Sequence, residues 1–220
     1  GRCPECGGAR TGVGVGTEQV EEAVRAHLPG ARVERLDRDS VGGAGDTAAL
    51  LARFARREID VLVGTQMITK GHDFPGVTLV GVVSADTSLN IPDFRAAEKT
   101  FQILTQVSGR GGRGDAPGRV IVQTMNPDNS AIQHARRHDY LGFYRDEIAL
   151  RRELGYPPFG RLINLVISST NETAAQDYVR KLRDLTTDMA RRQGGSVSVL
   201  GPAEAPLYRV QGRYRWQMLL

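Results

Sequence analysis

The sequence predicts an α/β protein, a three-layer domain on a parallel sheet followed by a small α+β unit, and three observations carry that expectation. Strand-like apolar runs alternate with helical ones as far as residue 135, in the βαβ order that builds a parallel sheet. Ile59 to Val63 and Val77 to Val83 are apolar without interruption, which suits strands covered on both faces. From His138 the texture changes to one connecting helix, then strands around a single long helix.

In chain order, Val13 to Gly16 reads as a short strand. The helix over Glu18 to Leu28 follows, with Thr17 as N-cap, Glu18, Glu21 and Glu22 at its positive end and Pro29-Gly30 ending it. Arg32 to Leu36 is a strand, the glycine-rich Val41 to Gly45 a loop, and Thr47 to Arg57 a helix with Leu50, Leu51 and Phe54 on one side. Phe94, Ala97, Phe101 and Leu104 recur at spacings of three and four after Pro92-Asp93, which marks an amphipathic helix; Arg119 to Gln123 is a further strand. Tyr140 to Leu154 reads as the connecting helix, closed by Gly155 and the stiff Pro157-Pro158 pair. Strands at Leu162 to Ser168, Ser196 to Leu200 and Tyr214 to Leu220, with a helix at Glu172 to Arg192, predict an antiparallel sheet carrying the helix on one face.

The 220 residues suffice for two domains, and the net charge is +4. Lys70, Lys99 and Lys181 are the only lysines, so the positive charge is almost all arginine, which favours planar, bidentate phosphate contacts; an arginine-rich genome gives the same bias. No window of 18 apolar residues occurs, so no membrane partner is expected. The start Gly1-Arg2-Cys3-Pro4 has neither an initiator methionine nor a signal-peptide pattern, from which we expect a cytosolic piece of a longer protein.

Cys3 and Cys6 form C-x-x-C followed by glycine, a turn that aims two thiolates at one metal, whereas tetrahedral zinc needs two further ligands. His27, His72, His134 and His138 lie in other elements. The spacing by itself fits zinc ligation, a redox pair or two idle thiols.

Gln106, Gly109, Arg110, Gly112 and Arg113 make Q-x-x-G-R-x-G-R at a helix end. A transferring phosphoryl group gathers negative charge, and arginines reaching across a cleft stabilise it; the competing reading is a solvated basic turn. Gly64 to Pro75 follows a buried strand, where α/β sheets bind ligands. There Thr65, Gln66, Thr69 and Lys70 can donate to phosphate oxygens, Gly71 lets backbone approach closely, and Asp73 organises the loop; a purely structural loop is the alternative. Gly12 to Thr17 is similar to a dinucleotide fingerprint, but the required third glycine is missing, which favours a tight strand-to-helix turn. Near the end, Tyr208, Arg209, Arg213, Tyr214, Arg215 and Trp216 interleave aromatic and basic residues, as stacking on unpaired bases requires; equally, Tyr214 and Trp216 share one strand face and suit a core. No G-x-x-x-x-G-K-[ST] occurs: Lys99-Thr100 follows Glu98, not glycine. The chain alone is therefore expected to hold no nucleotide tightly and to be inactive.

The segments CPECGG, GVGVGTEQVEE, GTQMITKGHDFPGVTLVGVVSADTSLNIPDFRAAEKTFQILTQVSGRGGRG, YPPFGRL and LGPAEAPLYRVQGRYRWQMLL resemble the PriA, or primosomal protein N′, family of bacterial replication restart, a superfamily 2 helicase family, over essentially the whole chain. The ADTSLNIPDFRAAEKTFQ segment is more specific than the general helicase motifs. The resemblance implies that residues 1–12 end a zinc-binding insertion, 13–137 form the second RecA-like lobe of a 3′-to-5′ DNA translocase, and 138–220 form a linker helix and C-terminal α+β domain. On that mapping Gly64 to Phe74 couples DNA backbone to nucleotide, with Gly71, Asp73 and Gly109 on the nucleotide side. Gln106, Arg110 and Arg113 are catalytic, the two arginines facing the γ-phosphate. Thr65, Gln66, Thr69, Lys70, Arg213, Arg215 and Trp216 meet DNA, and Cys3 and Cys6 are one pair of zinc ligands. The implied cofactors are ATP with Mg2+, held by a first lobe, and Zn2+. The implied partners are branched and single-stranded DNA, primosome accessory proteins, the replicative helicase loader and single-stranded DNA-binding protein, in the bacterial nucleoid. The alternative is an ATPase-inactive fork-binding scaffold that recruits primosome partners. A zinc-dependent hydrolase is disfavoured, because no H-E-x-x-H occurs.

Overall fold

The structure, a computed structural model, describes residues 16–37, 44–65, 74, 76–109, 118–194 and 197–220. The chain divides into two compact units between Tyr144 and Arg145.

The first unit opens with α1 (Thr17–His27), β1 (Val33–Leu36), α2 (Ala44–Ala55) and β2 (Val61–Gly64). β1 and β2 pair in parallel, Val33 beside Val61. At their amino ends Arg32 forks onto Asp60, Nε to Oδ2 at 2.8 Å and Nη2 to Oδ1 at 2.6 Å, and Nη2 also donates to Arg57 O at 2.8 Å. The Arg32 hydrogen bonds hold the Asp60 carboxyl well below the usual carboxylate range. At the carboxyl end of β1, buried Asp37 accepts from Thr17 Oγ1 at 2.5 Å, which ties the strand to the first turn of α1.

β3 (Leu79–Val82), the short α3 (Asp86–Leu89), α4 (Ala96–Ser108), β4 (Arg119–Val122) and α5 (Ser130–Arg136) follow, with β3 and β4 parallel. α4 buries Ala96, Thr100, Phe101, Leu104 and Val107; of the expected stripe Phe101 and Leu104 are buried, Ala97 is half-buried against the core and Phe94 precedes the helix. Phe101 and Leu104 join Ala85, Ala131, Ile132, Ala135 and Phe143 in one core, against which Val82 and Val122 pack.

Two features differ from the sequence expectation. Among the described residues the four strands form two parallel pairs, β1 with β2 and β3 with β4, not one continuous sheet. The strand expected at Val13 to Gly16 lies outside the described residues except for Gly16. Nor are β3 and β4 covered on both faces: Leu79 and Ile121 are 57% and 60% exposed, while Val82 and Val122 turn to the core. A strand sends alternate residues to opposite faces, and an uninterrupted apolar run does not say which face finds a cover.

α6 (Tyr140–Glu153) leads into the second unit, where β5 (Asn164–Ser169), α7 (Glu172–Arg192), β6 (Leu200–Val210) and β7 (Arg213–Leu219) form the expected antiparallel sheet and helix, in strand order β5-β7-β6. Asn171 caps α7 by accepting from Ala174 N at 3.0 Å, and Ala175, Val179 and Ala190 form its buried stripe. The strand expected over residues 196–200 begins instead at Leu200 and continues through Pro202 and Pro206. Proline cannot donate to a ladder, but β6 is an edge strand with shifts in its register, where that loss is tolerated. Gln211 and Gly212, with φ of 49° and 76°, close the hairpin to β7.

Candidate nucleotide and nucleic-acid interface

Helix α4 delivers the Q-x-x-G-R-x-G-R segment. Its buried stripe fixes the helix about its axis, and Thr100 Oγ1 and Ser108 Oγ each donate back to the carbonyl four residues earlier, at 2.8 and 2.7 Å, so neither hydroxyl is left unpaired inside. Gln106 is thereby on the exposed side, one turn from the end. Gly109 donates to Thr105 O at 3.0 Å and ends the helix with φ −71°; a Cβ there would meet Thr105 O at 3.6 Å, an ordinary contact. Arg110 and Arg113 lie outside the described residues.

The start of α4 is held by Asp93, which accepts from Arg95 N at 2.9 Å, from Arg95 Nε at 3.4 Å and from Lys99 Nζ. Burial opposes ionisation of this carboxyl, but the Lys99 and Arg95 hydrogen bonds outweigh it and hold its pKa at about 2.

Two further anchors fix the carboxyl rim of β3 and β4. Asp86, 4% exposed, accepts from Thr124 Oγ1 at 3.1 Å and from Met125 N at 2.9 Å. Ala85 N donates to Gln123 O at 3.1 Å beside it. Asp86 receives no role from the sequence; its signal is an acidic residue three positions after the apolar run Val77 to Val83, where the rim lies.

The loop after β2 begins at exposed Thr65 and returns at Phe74, whose ring meets Phe54 of α2 edge-on at 5.0 Å and 75°. Gln66, Thr69, Lys70, Gly71 and Asp73 lie outside the described residues. In the second unit, alternation along β7 puts Arg213 and Arg215 on one face and Tyr214, Trp216 and Met218 on the other. Arg213 donates through Nε to Ser168 Oγ and through Nη2 to Ser168 O, both at 2.8 Å. Trp216 meets Tyr208 edge-on at 6.2 Å, and its Nε1 is buried with no hydrogen-bond partner. The Tyr208 hydroxyl donates to Glu172, at the start of α7, which raises its pKa to about 12. The structure thus brings the two arginines together and separates them from the tryptophan.

Cys3 and Cys6 lie outside the described residues, and among the described residues no group of three or more His, Cys, Asp or Glu side chains could hold a metal ion. Two thiolates are half of a tetrahedral zinc set.

Residues 17–115 match the family profile "Helicase conserved C-terminal domain", so the first unit carries a RecA-like helicase lobe. Residues 152–220 match "Primosomal protein N C-terminal domain". Over 219 residues, 99% of this chain, it is 46% identical to "Replication restart protein PriA" of Bacillus subtilis (strain 168). The proteins of the same name from Synechocystis sp. and Treponema pallidum are 45% and 44% identical over equal lengths. The chain belongs to the replication restart protein PriA family. It spans 27%, 26% and 33% of the length of those three relatives.

Proposed function

We propose that this chain is the second motor lobe and C-terminal domain of a replication-restart helicase that binds stalled forks and D-loops and couples ATP hydrolysis to 3′-to-5′ translocation and primosome assembly. The observation that carries the reading is α4: packed along one side, it exposes Gln106 and ends at Gly109, immediately before Arg110 and Arg113, within the stretch that matches the helicase profile.

In this reading a first lobe holds ATP with Mg2+, and Gln106, Arg110 and Arg113 face its γ-phosphate, the arginines stabilising charge that develops during transfer. Gly71, Asp73 and Gly109 shape the nucleotide side. Thr65, Gln66, Thr69 and Lys70 take the DNA backbone, Arg213 and Arg215 add phosphate contacts, and Trp216 stacks on an unpaired base once its aromatic cluster opens. Cys3 and Cys6 contribute one pair of ligands to Zn2+. The partners are branched and single-stranded DNA, single-stranded DNA-binding protein, primosome accessory proteins and the helicase loader, in the bacterial nucleoid.

The test is ATP turnover of the full-length protein with and without a model fork. Stimulation by the fork is expected. Fork binding with no turnover at all would replace the motor with a scaffold that only recruits partners.

A further inference from the structure

The ring of Phe143 lies flat on the ring of Phe101, centroids 4.3 Å apart and planes 2° from parallel, and the two residues are 5% and 4% exposed. Phe101 belongs to α4, five residues before Gln106, about 7.5 Å along a helix axis. Phe143 belongs to the first turn of α6, which crosses the division between the two units without a break. Both α6's first turn and β4 and α5 lie in residues 116–151, between the two family profiles.

That first turn is locked in place by a second device. Asp139 accepts from Gly142 N at 2.8 Å with one oxygen and meets His134 Nδ1 at 3.1 Å with the other. A Cβ on Gly142 would come 2.1 Å from Asp139 Oδ2 and 2.6 Å from His134 Cε1, so no side chain fits there while the carboxylate caps the helix. Among the described residues α6 is the only element with residues in both units, and its first turn, within the first unit, is held by a cap that excludes side chains and by a stack on α4.

We propose that Phe143 is a positioning residue for the phosphate-facing end of α4, through which DNA engaged by the second unit changes ATP turnover. The proposal rests on the motor reading above. Close-packed interiors pass displacement between neighbouring rings, but contiguity alone does not establish coupling, so the test measures coupling directly.

In the full-length protein, Phe143→Leu removes the ring stack and Gly142→Ala displaces the Asp139 cap and the His134 ring beside it. Each is compared with wild type for ATP kcat and KM with and without a forked DNA, for fork affinity, and for thermal unfolding. In both variants, fork-stimulated kcat is expected to fall about fivefold or more, a typical size for coupling between sites. KM for ATP and fork affinity are expected to stay within about twofold of wild type, because binding contacts are intact. Unchanged stimulated kcat in both folded variants would overturn the proposal alone. A parallel loss of KM, affinity and thermal stability in both would reduce Phe143 to a core residue and overturn it as well. A wild type without fork stimulation would remove the motor reading and this proposal together.

Discussion

The carboxylate of Asp86 accepts a hydrogen bond from Thr124 Oγ1 at 3.1 Å, joining the carboxyl ends of two strands across 38 positions of sequence. Because the same carboxylate also takes Met125 N, it holds the rim above β3 and β4 through two donors. Asp86→Ala leaves a part-buried hydroxyl and a backbone N–H without their acceptor, a loss of about 1 kcal/mol. The urea midpoint of the lobe should fall at unchanged m-value. A loss below about 0.5 kcal/mol, the range of ordinary surface changes, would remove the clamp from the account.

Asp93 gives a pH-dependent prediction with a definite sign. Its folded pKa of about 2 lies below the ordinary aspartate value, so its contribution to stability is present above the unfolded value, about 4, and is lost as pH falls through 2. Lys99→Met should raise the carboxyl's midpoint toward 4 in a carbon-detected NMR titration, and its stability difference from wild type should vanish below pH 2. A midpoint that does not move would show that Lys99 is not what holds the carboxylate.

What was legible in the sequence follows from the kind of signal each element leaves. α4 and α7 announce themselves through apolar residues at helical spacing, and Glu172 to Arg192 is the helix expected. α5 has only seven residues, too few for a period to register, and is not among the elements expected from the sequence; Asn129 caps it by accepting from Ala131 N at 3.0 Å. β6 was misplaced because Pro202 and Pro206 argue against a strand unless its edge position is known, and edge position is a property of the assembled sheet. The end of α4 was legible, since Gln106 and Gly109 fall where the motif places a helix end. Asp86 was not, because its partners are distant in sequence.

Arg213 should contribute to DNA affinity as a charge. With Arg213→Gln in the full-length protein, affinity for single-stranded DNA should weaken across all sequences, and the slope of log affinity against log salt should shrink by about 0.7, one phosphate contact on a single strand. An unchanged slope would leave Arg213 only its bonds to Ser168.

Trp216 is the one tryptophan of this chain, and its indole Nε1 is enclosed. If it stacks on an unpaired base, its emission should be quenched by oligothymidine and restored by competitor salt. Emission indifferent to saturating oligothymidine would assign Trp216 to the aromatic cluster with Tyr208 and Tyr214 alone.

The most direct measurement is fork-stimulated ATP turnover by the full-length protein carrying Arg110→Ala or Arg113→Ala. The account predicts that kcat falls by about 10³ or more for each, as when an arginine finger is removed, with fork affinity within about threefold of wild type. Turnover equal to wild type in both would contradict it.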